Sequence, residues 1–319
     1  MKKIAVLTSG GDAPGMNAAI RSVVRKGIYE GLEVYGIEKA YTGLIENKFI
    51  KLEHKDVGGI MQNGGTILQT SRCEEFLTDA GQNKAIKNLE KRNIDGLVVI
   101  GGNGSLKGAL DLHNKGVNTV GVPGTIDNDL AGTDMAIGVD TALNTIINAV
   151  DKIKDTATSH ERAFIIEVMG RESGYLALMA SIATGAEEVF IPEKEVNIEK
   201  TAKKIREGHK RGKKHGIIIL AEGAGNAYNI GRELKNILGY EVRVTILGHI
   251  QRGGNPSAFD RILASKMGAK AVQALINNES GNMISLRGSK STLIPFEKAI
   301  QTRTEVRENL FELNKILSL

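Results

Sequence analysis

The sequence predicts an α/β protein with two doubly wound lobes, each built on a mainly parallel sheet covered by helices. Strand, loop and helix patterns alternate along the chain, and the strands are apolar on both faces, as buried parallel strands must be. The 38 glycines exceed the usual share and cluster where apolar runs end, which favours tight turns beside a ligand. A long amphipathic stretch that starts at Gly138 places the boundary between the lobes near that residue.

Each predicted strand is a short apolar run, and each predicted helix shows apolar residues at intervals of three or four. The strands are expected at 3–8, 34–37, 94–100, 118–122, 162–169, 189–192, 216–221 and 242–247. The helices are expected at 16–30, 56–62, 83–92, 106–115, 138–159, 173–184, 198–210, 230–238 and 256–276. Pro256 is expected as the first helical residue of its segment, because that position leaves its N–H unbonded in any case. We expect a loop at 40–44, a glycine turn at 64–66, and a mixed tail from residue 280 with a charged helix near its end.

The composition indicates a globular protein that binds a small anion. Hydrophobic residues at 41% and charged residues at 25% are ordinary for such a protein. The net charge of +5 is modest, and with no Trp the chain offers no stacking platform for nucleic acid. The single cysteine, Cys73, excludes an internal disulfide and suits a reducing cytoplasm. We expect neither a signal peptide nor a membrane span, because the apolar runs are too short.

Two carboxylates and a hydroxyl follow a Pro-Gly turn in the stretch 122–129. Asp127 and Asp129 lie two apart on a loop after a buried strand, so both side chains are able to point the same way. Such a pair suits metal binding and the acceptance of a proton from a hydroxyl group. The alternative is a turn in which the Asp and Asn side chains cap the backbone. Further polar residues that end strands predict a catalytic cleft between the lobes: Gly11, Asn103, Arg171, Glu222 and His249.

Two glycine loops, 9–12 and 101–105, each join a predicted strand to a helix. Backbone N–H groups and the helix dipole at such a junction attract an anion, and phosphate is the natural guest. A plain turn is the alternative for either loop alone. Two such loops that follow strands of the same sheet make this alternative weaker. The chain has no P-loop motif, and neither loop has the spacing that indicates nicotinamide dinucleotide binding.

Five arginines lie at glycines or at the boundaries of apolar runs: Arg72, Arg162, Arg171, Arg243 and Arg252. Arginine recognises phosphate through paired N–H donors, so the set favours a phosphorylated substrate in addition to a nucleotide. The alternative for each is a solvated surface residue. We assign His249 to phosphate or sugar contact beside Arg252, and Cys73 to packing. Arg21 and Arg25, one helical turn apart, and the basic run 203–215 indicate a second site for an anionic effector, with a solvated helix face as the alternative.

Five motifs together resemble those of bacterial ATP-dependent 6-phosphofructokinases. They are Ser-Gly-Gly-Asp-Ala-Pro-Gly-Met-Asn (9–17), Pro-Gly-Thr-Ile-Asp-Asn-Asp (123–129), Met-Gly-Arg (169–171), Ala-Glu-Gly (221–223) and Leu-Gly-His-Ile-Gln-Arg-Gly-Gly (247–254). The resemblance runs without interruption from residue 1 to about residue 280. It implies the phosphofructokinase fold, with an ATP-binding lobe of 1–138 plus about 251–305. A smaller sugar-phosphate lobe would hold 139–250 plus about 306–319, with the active site in the cleft between the lobes.

The resemblance implies transfer of a phosphoryl group from MgATP to the 1-hydroxyl of fructose 6-phosphate, a committed step of glycolysis, in a cytoplasmic homotetramer. Asp127 would be the base, with Thr125 and Asp129 beside it, and Arg171 would stabilise the transferring group together with Gly11 and Arg72. The implied ATP site comprises Gly11, Arg72, Cys73, Gly102, Asn103, Gly104 and Ser105. The implied sugar-phosphate site comprises Thr125, Ile126, Asp127, Met169, Gly170, Arg171, Glu222, His249, Ile250, Gln251 and Arg252, with Arg162 and Arg243 supplied by a neighbouring subunit.

The resemblance also implies an effector site for ADP or phosphoenolpyruvate at subunit interfaces. Its residues would be Arg21, Ser22, Val23, Val24, Arg25, His54, Gly58, Gly59, Lys154, Gly185, Ala186, Glu187, Arg211, Lys213, Lys214 and His215. His54, Lys154 and Gly59 depart from the residues usual in the family, so the effector response stays open. Leu77 and Gln82 replace arginines found near the adenine in some members, which leaves nucleotide preference open as well.

Asn103 is the departure closest to the chemistry. The family's magnesium loop is Gly-Gly-Asp-Gly, and an amide brings an oxygen but no charge to Mg²⁺. We expect Asn103 and Asp129 to hold the metal, with weaker binding or slower turnover than an Asp would give. An activity-impaired regulatory or binding paralogue is therefore one alternative. A pyrophosphate-using enzyme is another, which Gly104 and Gly124 disfavour because such relatives carry Asp and Lys there.

Overall fold

Eleven strands and eleven α-helices are present in the computed structural model, which describes residues 1–160, 162–301 and 308–318. The strands are β1 (Lys3–Ser9), β2 (Glu33–Ile37), β3 (Phe49–Leu52), β4 (Gly96–Gly101), β5 (Thr119–Pro123), β6 (Ala163–Val168), β7 (Glu188–Phe190), β8 (Gly216–Ala221), β9 (Val242–Ile246), β10 (Asn282–Arg287) and β11 (Lys290–Pro295). The helices are α1 (Met16–Tyr29), α2 (Ala40–Ile45), α3 (Asp79–Lys91), α4 (Asn103–Asn114), α5 (Val139–His160), α6 (Tyr175–Thr184), α7 (Ile198–Lys210), α8 (Ala227–Leu238), α9 (Ala258–Ile276), α10 (Phe296–Ala299) and α11 (Glu308–Leu317).

The first of two units holds, among the described residues, 1–126, 130–141 and 252–301. Its sheet has seven strands in the order β11-β10-β5-β4-β1-β2-β3. The strands from β10 to β2 run parallel, while β3 and β11 add antiparallel edges. Strands β4 and β5 are buried along their whole length, which explains why they are apolar on both faces. Ser9, Gly101 and Pro123 are aligned in register, so three strands end together at one edge of the sheet.

The second unit holds, among the described residues, 127–129, 142–160, 162–251 and 308–318. Its four strands follow the order β7-β8-β6-β9 and are all parallel. Strand β8 is fully buried, and α7 and α8 cover the sheet with apolar residues such as Ile205 and Leu234. The carboxyl ends of β6 and β8 meet where Val168 lies opposite Ala221.

Two local predictions in the first unit are wrong. Residues 40–44 were expected as a loop but form α2, because Tyr41, Leu44 and Ile45 bury one helical face in the core. Residues 56–62 were expected as a helix but form successive turns. Gly58 and Gly59 lie in the middle of that stretch, and Gly59 has a φ of 69°, so a helix there would be costly.

Three strands and the start of helix α9 also differ from prediction. Strand β3 was not predicted, and the tail described only as mixed contains the hairpin of β10 and β11. Pro256 is not the first helical residue: Ser257 is the N-cap of α9, and its Oγ accepts a hydrogen bond from Asp260 N–H. In the described part of the chain no helix is long and apolar enough to cross a membrane.

Candidate active site

The two glycine loops lie side by side where strands β1 and β4 end. Ser9 pairs in register with Gly101. A Cβ on Gly101 would lie 2.5 Å from both Ser9 O and Ser105 Oγ, and one on Gly10 would lie 3.1 Å from the same Oγ. Any side chain at Gly101 would therefore force the loops apart, and the loops meet as the sequence predicted.

Helix α4 begins inside the second of these loops. Gly102 is its N-cap without a side-chain hydrogen bond, and Asn103 is its first residue, three positions before the predicted start. The space around Gly104 is open, since a Cβ there would have no atom within 4 Å. The N–H groups of this first turn suit a phosphate, because a helix N-terminus attracts anions.

A segment of residues 63–73 is fastened to the first glycine loop. Thr70 donates its hydroxyl hydrogen to Gly10 O at 2.8 Å. The Asn17 side chain donates to the carbonyls of residues 63 and 64 at 3.1 Å and accepts from Ile67 N–H at 2.8 Å. Asn17 is the last residue of the 9–17 motif, but no role was predicted for its side chain. Its position inside that motif was the available signal.

Arg72 and Cys73, both expected at the nucleotide site, lie in the same segment. Arg72 is exposed, while Cys73 is half-buried and packs against the apolar core of the first unit. Tyr41 supports the neighbouring loop by donating its hydroxyl hydrogen to Ser105 O at 2.6 Å. Burial, and then the charge of Asp111, raises the pKa of this phenol, so Tyr41 remains a donor.

Arg252, expected at a sugar phosphate, lies in the first unit against the nucleotide loop. A Cβ on Gly11 would lie 2.6 Å from Arg252 Nη1. Glycine at position 11 therefore lets a guanidinium group approach the backbone of a predicted phosphate loop. The arrangement places a positive charge beside the N–H groups of that loop.

The predicted catalytic loop starts where β5 ends. Gly124 N–H donates to Gly101 O at 3.0 Å, and Thr125 N–H donates to Ile137 O at 3.1 Å. A Cβ on Gly102 would lie 3.3 Å from Thr125 Cβ, so Thr125 lies beside the start of α4. Ile126 is buried and is the last residue of the segment 1–126, the first segment of the first unit.

Asp127 and Arg171 form an ion pair in the second unit. Arg171 Nε lies 3.4 Å from Asp127 Oδ2, and the Asp127 side chain is 6% exposed against 60% for Arg171. Asn128 has a φ of 49°, a left-handed conformation that turns the chain between Asp127 and the half-buried Asp129. A buried carboxylate thus faces an exposed guanidinium group, and this is the pair to which the family resemblance assigns proton acceptance and phosphoryl stabilisation.

Glu222 holds the turn that carries Arg171. Its Oε1 accepts from Arg171 N–H at 2.8 Å and from Gly170 N–H at 3.2 Å. Arg171 has a φ of 52°, and a Cβ on Gly223 would lie 2.2 Å from Arg171 O. The two hydrogen bonds offset the cost of that left-handed backbone. Glu222, expected as a sugar contact, therefore also shapes this turn.

Gln251 joins the ends of β6 and β9. Its Oε1 accepts from Met169 N–H at 3.2 Å, and its Nε2 donates to Gly248 O at 2.9 Å. The side chain is fully buried, whereas His249 and Ile250 on the same short turn are exposed. Burial raises the pKa of the nearby Glu167 carboxyl. The hydrogen bond from Ala227 N–H lowers this pKa, and the negative charge of Glu222 raises it further.

Arg162 and Arg243 lie at the opposite edge of the same sheet. Arg162 directly precedes β6, and Arg243 is the second residue of β9, paired with Phe164. Arg243 Nη2 is 3.6 Å from Glu241 Oε1. Because β6 spans about 20 Å, neither arginine joins Met169 and Arg171 within one chain. Their place near the amino ends of β6 and β9 agrees with the predicted bounds of these strands, and the assignment of both arginines to a neighbouring subunit stays a prediction.

The residues expected at an effector site divide between the units. In the first unit, α1 carries Arg21, Ser22, Val23, Val24 and Arg25, and turns carry His54, Gly58 and Gly59. Val23 and Val24 point into the core, and burial together with the charge of Arg25 lowers the pKa of Arg21. These eight residues include two guanidinium groups one helical turn apart on α1.

The second unit gathers the remaining effector residues near the amino ends of β7 and β8. Lys213 Nζ lies 3.5 Å from Glu187 Oε1, His215 Nδ1 lies 2.9 Å from Thr158 Oγ1, and Lys154 bonds Thr184 O. The other members of the set lie in the turns beside them: Gly185, Ala186, Arg211 and Lys214. The part of the chain that the structure describes contains no group of three or more His, Cys, Asp or Glu suited to hold a metal.

Comparisons with known proteins identify the family of the chain. The family profile described as Phosphofructokinase matches residues 3–275. The chain is 57% identical to the ATP-dependent 6-phosphofructokinase of Thermotoga neapolitana and 53% identical to that of Bacillus subtilis, in each case over 319 residues and 100% of both chains.

Solved structures support the fold. Phosphofructokinase from Saccharomyces cerevisiae matches with a TM-score of 0.90 and 38% identity over 100% of this chain and 48% of that longer chain. A pyrophosphate-dependent phosphofructokinase from Marinobacter aquaeolei matches with a TM-score of 0.85 and 20% identity over 99% and 91% of the two chains, and so shares the fold. The predicted fold class is confirmed, and the chain belongs to the phosphofructokinase family.

Proposed function

We infer that this chain is an ATP-dependent 6-phosphofructokinase. It transfers a phosphoryl group from ATP to the 1-hydroxyl of fructose 6-phosphate, giving fructose 1,6-bisphosphate and ADP in glycolysis. The names of relatives at 51–57% identity over the full chain support this activity. The observation that carries it here is the buried Asp127 carboxylate beside the exposed Arg171 guanidinium.

We propose that Asp127 accepts the proton of the attacking hydroxyl. A general base must lie within reach of that proton, and the Asp127 loop leaves β5 beside the phosphate loops of the same sheet edge. Arg171 is exposed enough to turn its planar fork toward a transferring phosphoryl group, where its charge stabilises the transition state. The other roles follow the family: Gly11, Arg72, Cys73 and 102–105 hold ATP, and Met169, Glu222 and His249 hold the sugar phosphate.

Two glycines support ATP rather than pyrophosphate as the donor. Gly104 leaves open space at the start of α4, where a nucleotide phosphate would lie. Gly124 is tightly enclosed, since a Cβ there would lie 3.2 Å from Ile100 Cγ2 and 3.3 Å from Met16 Cε. A lysine at 124 would require these side chains to move, and an aspartate at 104 would repel phosphate.

We propose Mg²⁺ as the cofactor, held by Asn103 and Asp129. Both offer the oxygen ligands that Mg²⁺ prefers, and Asn103 is the first residue of α4, at the predicted phosphate loop. When bound, Mg²⁺ neutralises phosphate charge. With one amide and one carboxylate, the chain supplies less negative charge than two carboxylates would.

We propose that the enzyme is a cytoplasmic homotetramer with shared sites. Arg162 and Arg243 lie at the edge of the sheet opposite Met169, so a neighbouring subunit has to supply them to a complete sugar-phosphate site. The effector residues of the two units would likewise meet across subunits and bind ADP or phosphoenolpyruvate. We propose lobes of 1–138 plus 251–305 and 139–250 plus 306–319.

A coupled assay tests the proposal. Rates are measured with fructose 6-phosphate and either ATP or pyrophosphate, while Mg²⁺ is titrated, and Asp127→Asn is the control. We expect a rate with ATP, none with pyrophosphate, and a loss of about 10²–10⁴ in the variant. A rate that depends on pyrophosphate supports the alternative of a pyrophosphate-using enzyme. If neither donor gives a rate but the protein still binds sugar phosphate, the remaining interpretation is a regulatory or binding paralogue.

A further inference from the structure

The Asp260 carboxylate is a fully buried charge that the proposed chemistry does not use. Asp260 lies in the first turn of α9 and is 0% exposed. Its Oδ1 accepts from Gly138 N–H at 2.9 Å, and its Oδ2 accepts from Thr141 N–H at 2.8 Å and from the Thr141 hydroxyl at 2.6 Å. All three partners donate hydrogen bonds, so this position is built for an ionised carboxylate.

The bonds around Asp260 tie the start of α9 to residues 138–141. The Thr141 hydroxyl, which donates to Asp260, accepts in turn from Ser257 N–H at 3.0 Å. The Ser257 hydroxyl donates to Asp140 Oδ2 at 2.5 Å and accepts from Asp260 N–H at 3.2 Å. Five of these hydrogen bonds join the start of α9 to residues 138–141, and the sixth, from Asp260 N–H to Ser257 Oγ, caps α9 itself.

The segment held by Asp260 is bonded directly to the predicted catalytic loop. Ile137, the residue before Gly138, accepts from Thr125 N–H at 3.1 Å and donates its own N–H to Pro123 O at 2.9 Å. The packing around Ile137 is tight, because a Cβ on Gly15 would lie 2.6 Å from Ile137 Cγ2. A movement of Gly138 must therefore move Ile137, and with it the backbone of Thr125.

We propose that Asp260 is a positioning residue for phosphoryl transfer, which fixes Thr125 and the start of the Asp127 loop through Gly138 and Ile137. The inference rests on the proposed role of that loop. Asp260 touches no substrate in this scheme. It acts by holding the loop at the distance that the reacting atoms need, and misplacement by about 1 Å is enough to cost about a hundredfold in rate.

The network depends on the charge state of Asp260. Burial raises the pKa of this carboxyl to about 6, the hydrogen bonds from Thr141 and Gly138 oppose the rise, and the charge of Asp140 adds to it. Among the described residues, Asp140 on α5 is the charged group that acts on it, while Gly15 at the start of α1 brings no charge, and a Cβ built on Gly15 would lie 3.6 Å from Asp260 Cβ. A protonated carboxyl turns a hydrogen toward groups that also donate, so the hold on Gly138 weakens below about pH 6.

Asp260→Asn tests the position, with Asp134→Asn as the matched control. Asp134 accepts a bond from Gly288 N–H at 2.7 Å, which an amide oxygen is able to replace. We expect kcat of Asp260→Asn to fall about 10- to 100-fold while KM for both substrates changes less than about twofold. We expect both constants of Asp134→Asn to stay within about twofold of wild type. Equal kcat values for the two folded variants would overturn the proposal.

Asp140→Asn tests the charge state and covers the case in which Asp260→Asn does not fold. The amide oxygen still accepts from Ser257, but the charge that disfavours ionised Asp260 is gone. We expect an unchanged kcat at pH 8 and, at pH 5.5, a retained fraction of kcat about twofold larger than in wild type. An acid limb that superimposes on that of wild type and Asp134→Asn overturns the proposal. Absence of any wild-type rate would instead refute the proposed function.

Discussion

Asn103→Asp should strengthen the proposed Mg²⁺ site. Asn103 is half-buried and is the first residue of α4, so an added carboxylate would face the phosphate loop in a medium of reduced dielectric constant. At an effective dielectric constant of about 20, two unit charges about 4 Å apart interact by about 4 kcal/mol, most of which offsets the loss of hydration. We expect a net gain of about 1.4 kcal/mol, which is about tenfold in the half-saturating Mg²⁺ concentration.

The helix dipole predicts a second effect of the same substitution. A negative charge in the first turn stabilises a helix by about 0.3–1 kcal/mol. Asn114→Asp is the matched control, because Asn114 is the exposed last residue of α4, where the same added charge opposes the dipole. We therefore expect urea denaturation to show a more stable Asn103→Asp and a less stable Asn114→Asp.

The assay measures initial rates at saturating fructose 6-phosphate and fixed ATP while Mg²⁺ is titrated. Calorimetric titration with MgATP, in the absence of the sugar, gives affinity independently of turnover. We expect Asn103→Asp to need less Mg²⁺ and to turn over faster than both wild type and Asn114→Asp. If the two variants share one Mg²⁺ dependence and one kcat, the assignment of Asn103 to the metal is wrong.

Three further changes test the remaining assignments. Arg171→Lys loses the planar fork beside Asp127, and we expect a loss of about a hundredfold in kcat at nearly constant KM, measured in the coupled assay; an unchanged kcat contradicts the role. Gly104→Asp puts a carboxylate where phosphate is expected, so KM for ATP should rise about tenfold or more; an unchanged KM means that the nucleotide lies elsewhere. Burial raises the folded-state pKa of Asp260 to about 6, above the ordinary value of about 3.9, so the buried negative charge costs stability at neutral pH; the fold is therefore most stable below pH 4 and loses that stability as pH rises through 6, although the protonated carboxyl holds Gly138 less firmly. Urea denaturation should therefore show wild type gaining roughly 2 kcal/mol relative to Asp260→Asn between pH 7 and pH 4, and a difference of the opposite sign refutes the assignment.

The core of the fold was predictable because its signals are local. Buried parallel strands need apolar residues on both faces, and the glycines that follow them mark where each strand ends. The strands β3, β10 and β11 gave a weaker signal, since β3 and β11 are half-exposed edge strands and β10 interrupts its apolar residues with Asn282 and Ser285. Helix α2 was missed for a related reason: its six residues are stabilised by burial against distant parts of the core rather than by a long periodic pattern.

By itself the sequence determined the family motifs, the strand-end position of Asp127 and the meeting of the two glycine loops, because residues next to a strand end share its edge. Only the tertiary structure decided which distant residues join them. Asp260 reaches Gly138 across 122 positions, and Arg252 lies against Gly11, although neither pairing leaves a trace in local spacing. Hydrogen bonds and close packing between remote segments set these contacts, and no short stretch of chain encodes them.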